Sequence, residues 1–384
     1  GETAGGFFLL SYARARMTTR AKVLVHGATG FTGRLVARAL VKKKIPFAIA
    51  GRSREKLDAM ANELGGQVEI VVVDIRKSES VEAALEDRKV VCACAGPFAE
   101  VGEPVLAAAA KMGVHYADTT GEQKFVALAL SKYGKIAAES GACAVPAFAY
   151  EIAVGDWAAH EATKKAGKNP QEIDVVYMIR SPEGGMGGAT SRGTKLSMIG
   201  MTADGDPRQW VNGELVRESA ATFVRAFRAP NGKSVWTFSF PSPESVVVPS
   251  HTGAKTVRTF MSAGKNAARG MQLGRAIFPG LVRAFKGPLV RYVSKSSAGP
   301  EGGDRNARFD ILAEATKDGT TSRVFFSGSD PYGLTAEIQA MFAERALAGK
   351  ISARGVVAPS VAVAPEDALV ALEGTGLRMN PPTK

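Results

Sequence analysis

Three cysteines in 384 residues, Cys92, Cys94 and Cys143, are too few for a disulfide framework. Cys92 and Cys94 alternate along an expected strand, which reads as small core residues rather than a metal or redox pair. Four scattered histidines form no zinc pattern. No apolar run reaches transmembrane length, and with so few cysteines a reducing, cytoplasmic setting is expected. No Tyr-x-x-x-Lys pair occurs, Tyr292 and Lys295 being one residue too close, which argues against short-chain-dehydrogenase carbonyl chemistry. No Ser/His/Asp constellation stands out either. Acidic side chains vanish between Glu244 and Glu301, a stretch that holds nine Lys or Arg of a chain with net charge +12. Residues 1–16 lack a signal-peptide core and cleavage pattern, and read as an extension or expression remnant before a natural start at Met17.

What is present is organised around residues 21–54. A β-branched run, Val23-Leu24-Val25, reads as a buried strand. Gly27, Gly30 and Gly33 follow, then a helical pattern with Leu35, Val36, Ala39 and Leu40 on one face, then a second strand from Phe47. The spacing is G-x-x-G-x-x-G rather than G-x-G-x-x-G, but strand, turn and helix sit where dinucleotide binding needs them. Gly27 allows the tight exit, Gly30 lets amides approach a diphosphate, and Gly33 lets the helix pack close to the sheet. Thr29, Phe31 and Thr32 complete the candidate phosphate turn. The second strand ends in Gly51-Arg52-Ser53-Arg54, with no carboxylate for a ribose 2′-OH. A guanidinium pairs with a 2′-phosphate, so the expected cofactor is NADP(H), held by Arg52, Ser53 and Arg54. Ser53 also suits the cap of a helix bearing Leu57, Met60 and Leu64.

Strands and helices keep alternating. Residues 68–74 read as a buried parallel strand ending in Asp74, which could accept from the adenine amino group or cap the helix near Ser78. A fourth strand, 89–95, leads into Ala95-Gly96-Pro97-Phe98, expected along the cofactor towards the nicotinamide ribose. Helix 103–112, strand 114–118, Gly121, helix 125–140 and strand 143–145 follow. Asp118 and Glu122 could line the nicotinamide end, and Glu122 could equally cap the next helix. Six strands alternating with helices predict a doubly wound parallel (Rossmann) sheet of α/β class.

GATGFTG with AGRS, then CAGPF and GVHYADTTGE, resemble the cofactor domain of the saccharopine-dehydrogenase-like oxidoreductases. GGMGGATSRGT and DPYGLTAEIQAMFAERAL extend the likeness to the branch containing trans-acting enoyl reductases that work beside polyketide synthases. The resemblance implies an NADPH-dependent reductase with an inserted second domain: residues 17–150 bind NADP, 151–329 hold substrate, and 330–384 return to the first domain. This chain departs from the branch at 150–156, where Tyr150-Glu151-Ile152 replaces an Asp-Ser-Val-Pro-Ser-Asp type run.

Beyond 150 a helix is expected at 152–165 and a strand at 173–178. A glycine cluster at 184–188 and a short helix follow, then short strands near 221–228, 234–240 and 245–249. A hairpin is expected around Lys317-Asp318-Gly319-Thr320, and a helix over 335–348. The second domain is thus α+β with a mixed or antiparallel sheet. In the acid-free stretch, Ile277, Phe278, Leu281, Val282, Phe285 and Leu289 cluster on one helical side. Arg275, Arg283 and Lys286 fall on the other, with Pro279 and Pro288 breaking the run. Such a 255–295 segment could lie on an anionic membrane, dock an acidic carrier protein, or cover the core with a solvated basic face. Nucleic acid is not expected, because aromatic interleaving is thin; a homo-oligomer stays open.

Reduction of an activated C=C needs a proton beside the hydride, from Tyr150, Tyr332 or a water. The leading expectation is an NADPH-dependent reductase of a hydrophobic or carrier-bound unsaturated substrate in polyketide or lipid biosynthesis. The alternatives are a saccharopine-type C–N oxidoreductase, which needs a dense Arg/Lys set for carboxylates, and a non-catalytic NADPH-binding protein.

Overall fold

The computed structural model describes residues 20–180, 191–296, 299 and 307–380. The amino-terminal extension, Met17, the glycine cluster at 184–188 and the chain end from 381 lie outside the described residues. β1 (Val23–His26) is central to a parallel sheet with β2 (Phe47–Gly51), β3 (Glu69–Val72), β4 (Val90–Ala93), β5 (His115–Asp118), β6 (Cys143–Val145) and β15 (Gly355–Val356). The order is β15-β6-β5-β4-β1-β2-β3. Val25 pairs with Ile49 on one side and Cys92 on the other. The strand order reverses between β1 and β4, the crevice where open α/β sheets take their ligands.

Helices α1 (Phe31–Lys42), α2 (Arg54–Glu63), α3 (Ser78–Leu85), α4 (Phe98–Val101) and α5 (Glu103–Met112) alternate with the early strands. The third strand is an edge strand, not the buried one expected, because the sheet ends there and Val72 stays 49% exposed. The expected helix 125–140 is broken into α6 (Gln123–Leu128), a π-turn (Ala129–Tyr133) and α7 (Gly134–Ser140). Gly134, a poor helix former, stands at the last break.

In a second sheet, β7 (Glu172–Arg180) lies between β12 (Thr256–Ser262), parallel to it, and β13 (Arg308–Lys317), antiparallel. Antiparallel pairing extends it through β14 (Thr320–Ser329) to β16 (Arg378–Asn380), and through β11 (Ser234–Ser239) to β10 (Val224–Arg228). β8 (Arg208–Val211) and β9 (Glu214–Arg217), absent from the sequence reading, hang from β12. The hairpin turn has Asp318 at φ 50° and Gly319 at φ 76°, the left-handed pair of a tight two-residue loop. The strand expected at 245–249 is instead helix α10 (Glu244–Thr252). Val247 and Val248 are buried there, the helix packing against α8 (Tyr150–Ala166), so tertiary burial overrides β-branched preference.

α8 packs on β13 and β14, while α14 (Pro331–Leu347) packs on α1, β4 and α8. One core therefore runs through both sheets, containing Val25, Val36, Trp157, Phe342, Phe309 and Phe326. Gln339 of α14 donates to the carbonyls of Asp118 (3.1 Å) and Phe148 (2.8 Å), which fixes the helix against β5 and the start of α8.

Candidate functional site

Gly27 exits β1 at φ +76°, and a Cβ there would lie 2.7 Å from the Ala95 nitrogen. A Cβ on Gly33 would lie 2.3 Å from the Gly27 oxygen and 2.8 Å from Ala28 Cα. Both glycines are thus required by backbone packing. Gly30 is different: a Cβ there would meet only the Gly27 oxygen at 3.3 Å, so the space outside the turn is open. Gly30 is also the N-cap of α1 and gives it no side-chain cap, and the first turn carries no acid. The amides of Phe31, Thr32 and Gly33 are therefore left for an anion beside the positive end of the helix. Arg34 donates to the Thr29 carbonyl (3.3 Å) and pairs with Glu63 (2.6 Å), which holds the turn in place. This cradle, with no carboxylate in it, fits a diphosphate.

At the end of β2, Arg52 is exposed and has no ion-pair partner among the described residues. Its neighbours are engaged. Arg54 pairs with Asp58 one turn on (2.9 Å), and Ser53 accepts from the Lys56 amide as the cap of α2. Arg52 is then the guanidinium left for a 2′-phosphate. Asp74 neither caps the next helix nor offers a free carboxylate: the N-cap is Lys77, and Arg76 binds both Asp74 oxygens at 2.9 Å. Those bonds pull the Asp74 carboxyl down to about 2.

On the other side of the crevice, Ala95 and Gly96 run from β4 past Gly27, and the Gly96–Pro97 peptide is cis. Gly96 is exposed, whereas the Phe98 ring is buried against Phe125, 5.6 Å between centroids, with its other edge under Gly96, where a Cβ would lie 3.3 Å from it. A Cβ on Gly121 would meet nothing within 4 Å. Glu122 is buried, accepting from the amides of Phe98 (2.9 Å) and Ala99 (2.8 Å) and from Ser197 Oγ (2.7 Å). Its side chain thus caps α4, while the residue itself stands at the N-cap of α6, as expected, its carbonyl accepting from the Phe125 and Val126 amides. Asp118 is fully buried too, accepting from Tyr116, Thr120 and Ala147, with its carboxyl pushed up to about 7 by burial.

Beside the glycine turn lies a cavity of about 100 Å³. Thr32 of α1, Tyr150 and Glu151 of α8, Thr194 of α9 (Arg192–Asp204) and Tyr332 of α14 line it, so four helix N-termini converge on one space. The described lining includes no Lys or Arg. Both tyrosines singled out from sequence are here, but in different states. Tyr332 accepts from the Ser191 amide (2.6 Å), contacts Thr194 Oγ1 (3.3 Å) and meets Phe31 edge-on at 5.1 Å. Tyr150 packs its ring on Phe309 at 5.3 Å, and its hydroxyl makes no hydrogen bond to a described residue. Burial holds the Tyr150 hydroxyl well above its ordinary pKa, and raises the neighbouring Glu151 carboxyl to about 7. Glu151 was passed over in the sequence, where a single acid in a helix's first turn reads as complement to the helix dipole.

The family model of the saccharopine dehydrogenase NADP binding domain matches residues 23–145. This segment is therefore similar to a saccharopine dehydrogenase NADP binding domain. NADP(H) is accordingly the cofactor of that domain, in keeping with the uncapped turn and Arg52. The chain is similar to a trans-acting enoyl reductase of Mycobacterium ulcerans, 30% identical over 198 residues, covering 49% of this chain and 47% of that protein. It is also similar to the saccharopine dehydrogenase-like oxidoreductase of Bos taurus, 31% identical over 180 residues and 42% of each. The chain spans less than half the length of these relatives. Among solved structures, the apo histidine-tagged saccharopine dehydrogenase (L-Glu forming) from Saccharomyces cerevisiae aligns over 93% of this chain and 99% of its own. With a TM-score of 0.61 and 14% identity it shares the fold.

Proposed function

We propose that this chain is an NADPH-dependent reductase of a hydrophobic, unsaturated acyl substrate, presented free or on a carrier. The observation that carries this reading is the cavity beside the glycine turn: it is walled by hydroxyls, apolar groups and the one carboxyl of Glu151, without a described Lys or Arg. An amino-acid substrate with two or more carboxylates would need cations there. An enoyl thioester needs none, and the four converging helix N-termini favour negative charge developing on its carbonyl oxygen.

NADPH, when bound, supplies the hydride. The chain's own residues must hold the acyl group, exclude water and deliver a proton to the α-carbon. Tyr332 accepts from the Ser191 amide and lies beside Thr194 Oγ1, so its hydroxyl is held against α9 in the wall of the cavity. Tyr150 keeps its proton at neutral pH and offers an unengaged hydroxyl, which favours it as the donor. Glu151, titrating at about 7, is the adjacent group able to hold a second proton. The names of the enoyl-reductase relatives lend support to C=C reduction. Following reduced-nicotinamide absorbance with enoyl thioesters and with imines tests the reading. Turnover of enoyl thioesters is expected, lost by about a hundredfold or more in kcat in Tyr150→Phe with NADPH affinity kept. Turnover of imines alone would overturn it.

A further inference from the structure

Helices α11 (Lys265–Gly274), α12 (Phe278–Ala284) and α13 (Lys286–Ser294) follow one another with only short breaks. Neither α12 nor α13 is seated in a core: Val282 is the one buried side chain of α12, and α13 has none. Apolar side chains recur every four residues and face outward: Leu273 is 84% exposed, Ile277 65%, Leu281 52% and Phe285 58%. Phe278 (60%) and Tyr292 (79%) extend the patch. The sequence reading that these residues cover the core is therefore not met. Arg275, Lys286, Arg291 and Lys295 are exposed around them and form no ion pair with a described residue. No Asp or Glu occurs from 245 to 300. Arg283, placed by the helical wheel among the solvated cations, instead donates to the carbonyls of Ala203 (2.8 Å) and Asp204 (3.2 Å), capping α9. The segment is thereby fastened to α9, the helix that contributes Thr194 to the cavity.

We propose that α11–α13 form a docking surface for an anionic lipid bilayer. Large apolar side chains enter the headgroup and acyl boundary, while the surrounding cations stay among anionic headgroups. A second copy of the chain would set this acid-free, basic surface against itself, where like charges repel. An acidic protein would answer the cations but not the line of outward aliphatic and aromatic groups. The anionic bilayer answers both. The proposal stands apart from the reductase reading, since no residue of the cavity or the glycine turn belongs to it.

Flotation of the full chain with vesicles of phosphatidylcholine, alone or mixed with phosphatidylglycerol, tests it. Binding to the mixed vesicles, weakened by salt, is expected. The triple variant R275E/K286E/R291E should bind about a hundredfold more weakly, roughly fivefold for each cation. I277S/L281S/F285S should lose binding as well, both variants keeping NADPH affinity and melting temperature. Absence of binding, equal binding to neutral vesicles, or undiminished binding by both variants overturns the proposal. Binding to an acidic carrier protein with none to vesicles overturns it too. Should either variant misfold, Leu273→Trp in the wild-type background decides: a blue-shifted emission with mixed vesicles supports lipid insertion, and an unchanged spectrum refutes it.

Discussion

α1 and the α11–α13 segment carry the same signal, apolar residues at helical spacing, and meet opposite fates. In α1, Val36, Ala37 and Leu40 are fully buried between the parallel sheet and α14. In α11–α13, Leu273, Ile277, Leu281 and Phe285 stand in solvent. Periodicity says which residues share a face, and nothing about what that face meets. The neighbours decide. α1 is pinned by a strand on one side and by glycines that bring its first turn against β1 and β4. α12 is attached chiefly through Val282 and the Arg283 cap on α9.

The comparison breaks most visibly by truncation. Leu40→Ala should destabilise the fold by about 2–5 kcal/mol, whereas Leu281→Ala should stay within about 0.5 kcal/mol, both read from denaturant melts. Comparable losses would mean that α12 is packed after all. Next comes Gly33→Ala, whose Cβ must displace backbone at Gly27 and Ala28 rather than a flexible side chain. A loss of about 1–3 kcal/mol is expected, with NADPH binding abolished in calorimetric titration. Gly280→Ala is its counterpart in α12, where a Cβ meets nothing within 4 Å, and it should be neutral or slightly stabilising. A smaller effect belongs to Arg52→Ala. NADPH affinity should fall about tenfold, near 1.4 kcal/mol, with NADH affinity unchanged. Equal losses for the two nucleotides would place the 2′-phosphate elsewhere.

The first sheet was legible because each of its signals is local and redundant. Gly27 and Gly33 announce a turn that no other residue fits, and Ser53 caps α2 as its position before Leu57 and Met60 implies. The second sheet joins strands distant in sequence, β7 with β12 and β13, so no short window shows its pairing. Residues 244–252 illustrate the difficulty: three consecutive valines favour a strand, yet burial of Val247 and Val248 against α8 makes them helical. The cavity was half legible. Tyr150 and Tyr332 were found as hydroxyls able to give a proton, but only three-dimensional contacts separate them, Ser191 and Thr194 occupying Tyr332 and leaving Tyr150 open. The partners of Asp74 and Glu122 were not legible for the same reason: Lys77 rather than Asp74 stands at the cap of α3, and Arg76 and the Phe98 amide that claim the two carboxyls are identifiable only once the loops are folded.

Glu151 sharpens the contrast from the other side, since an acid in a helix's first turn is ordinarily a gain. Burial beside the cavity raises its carboxyl from the usual 4.5 to about 7 in the folded chain. Below about pH 4.5 it is protonated folded and unfolded alike, so it exacts no ionisation penalty. As pH rises from there through about 7, the unfolded chain releases the proton first, and folding stability falls. Glu151→Gln, which cannot ionise, should therefore melt higher than the wild type above about pH 7, the gap closing towards about pH 4.5. Asp118 and Asp174 are also raised to about 7 and tilt the wild-type curve the same way, so the variant should keep that residual slope. A constant gap at every pH would show that Glu151 is ionised and solvated in the folded chain. The second proton assigned to the cavity would then have to come from water.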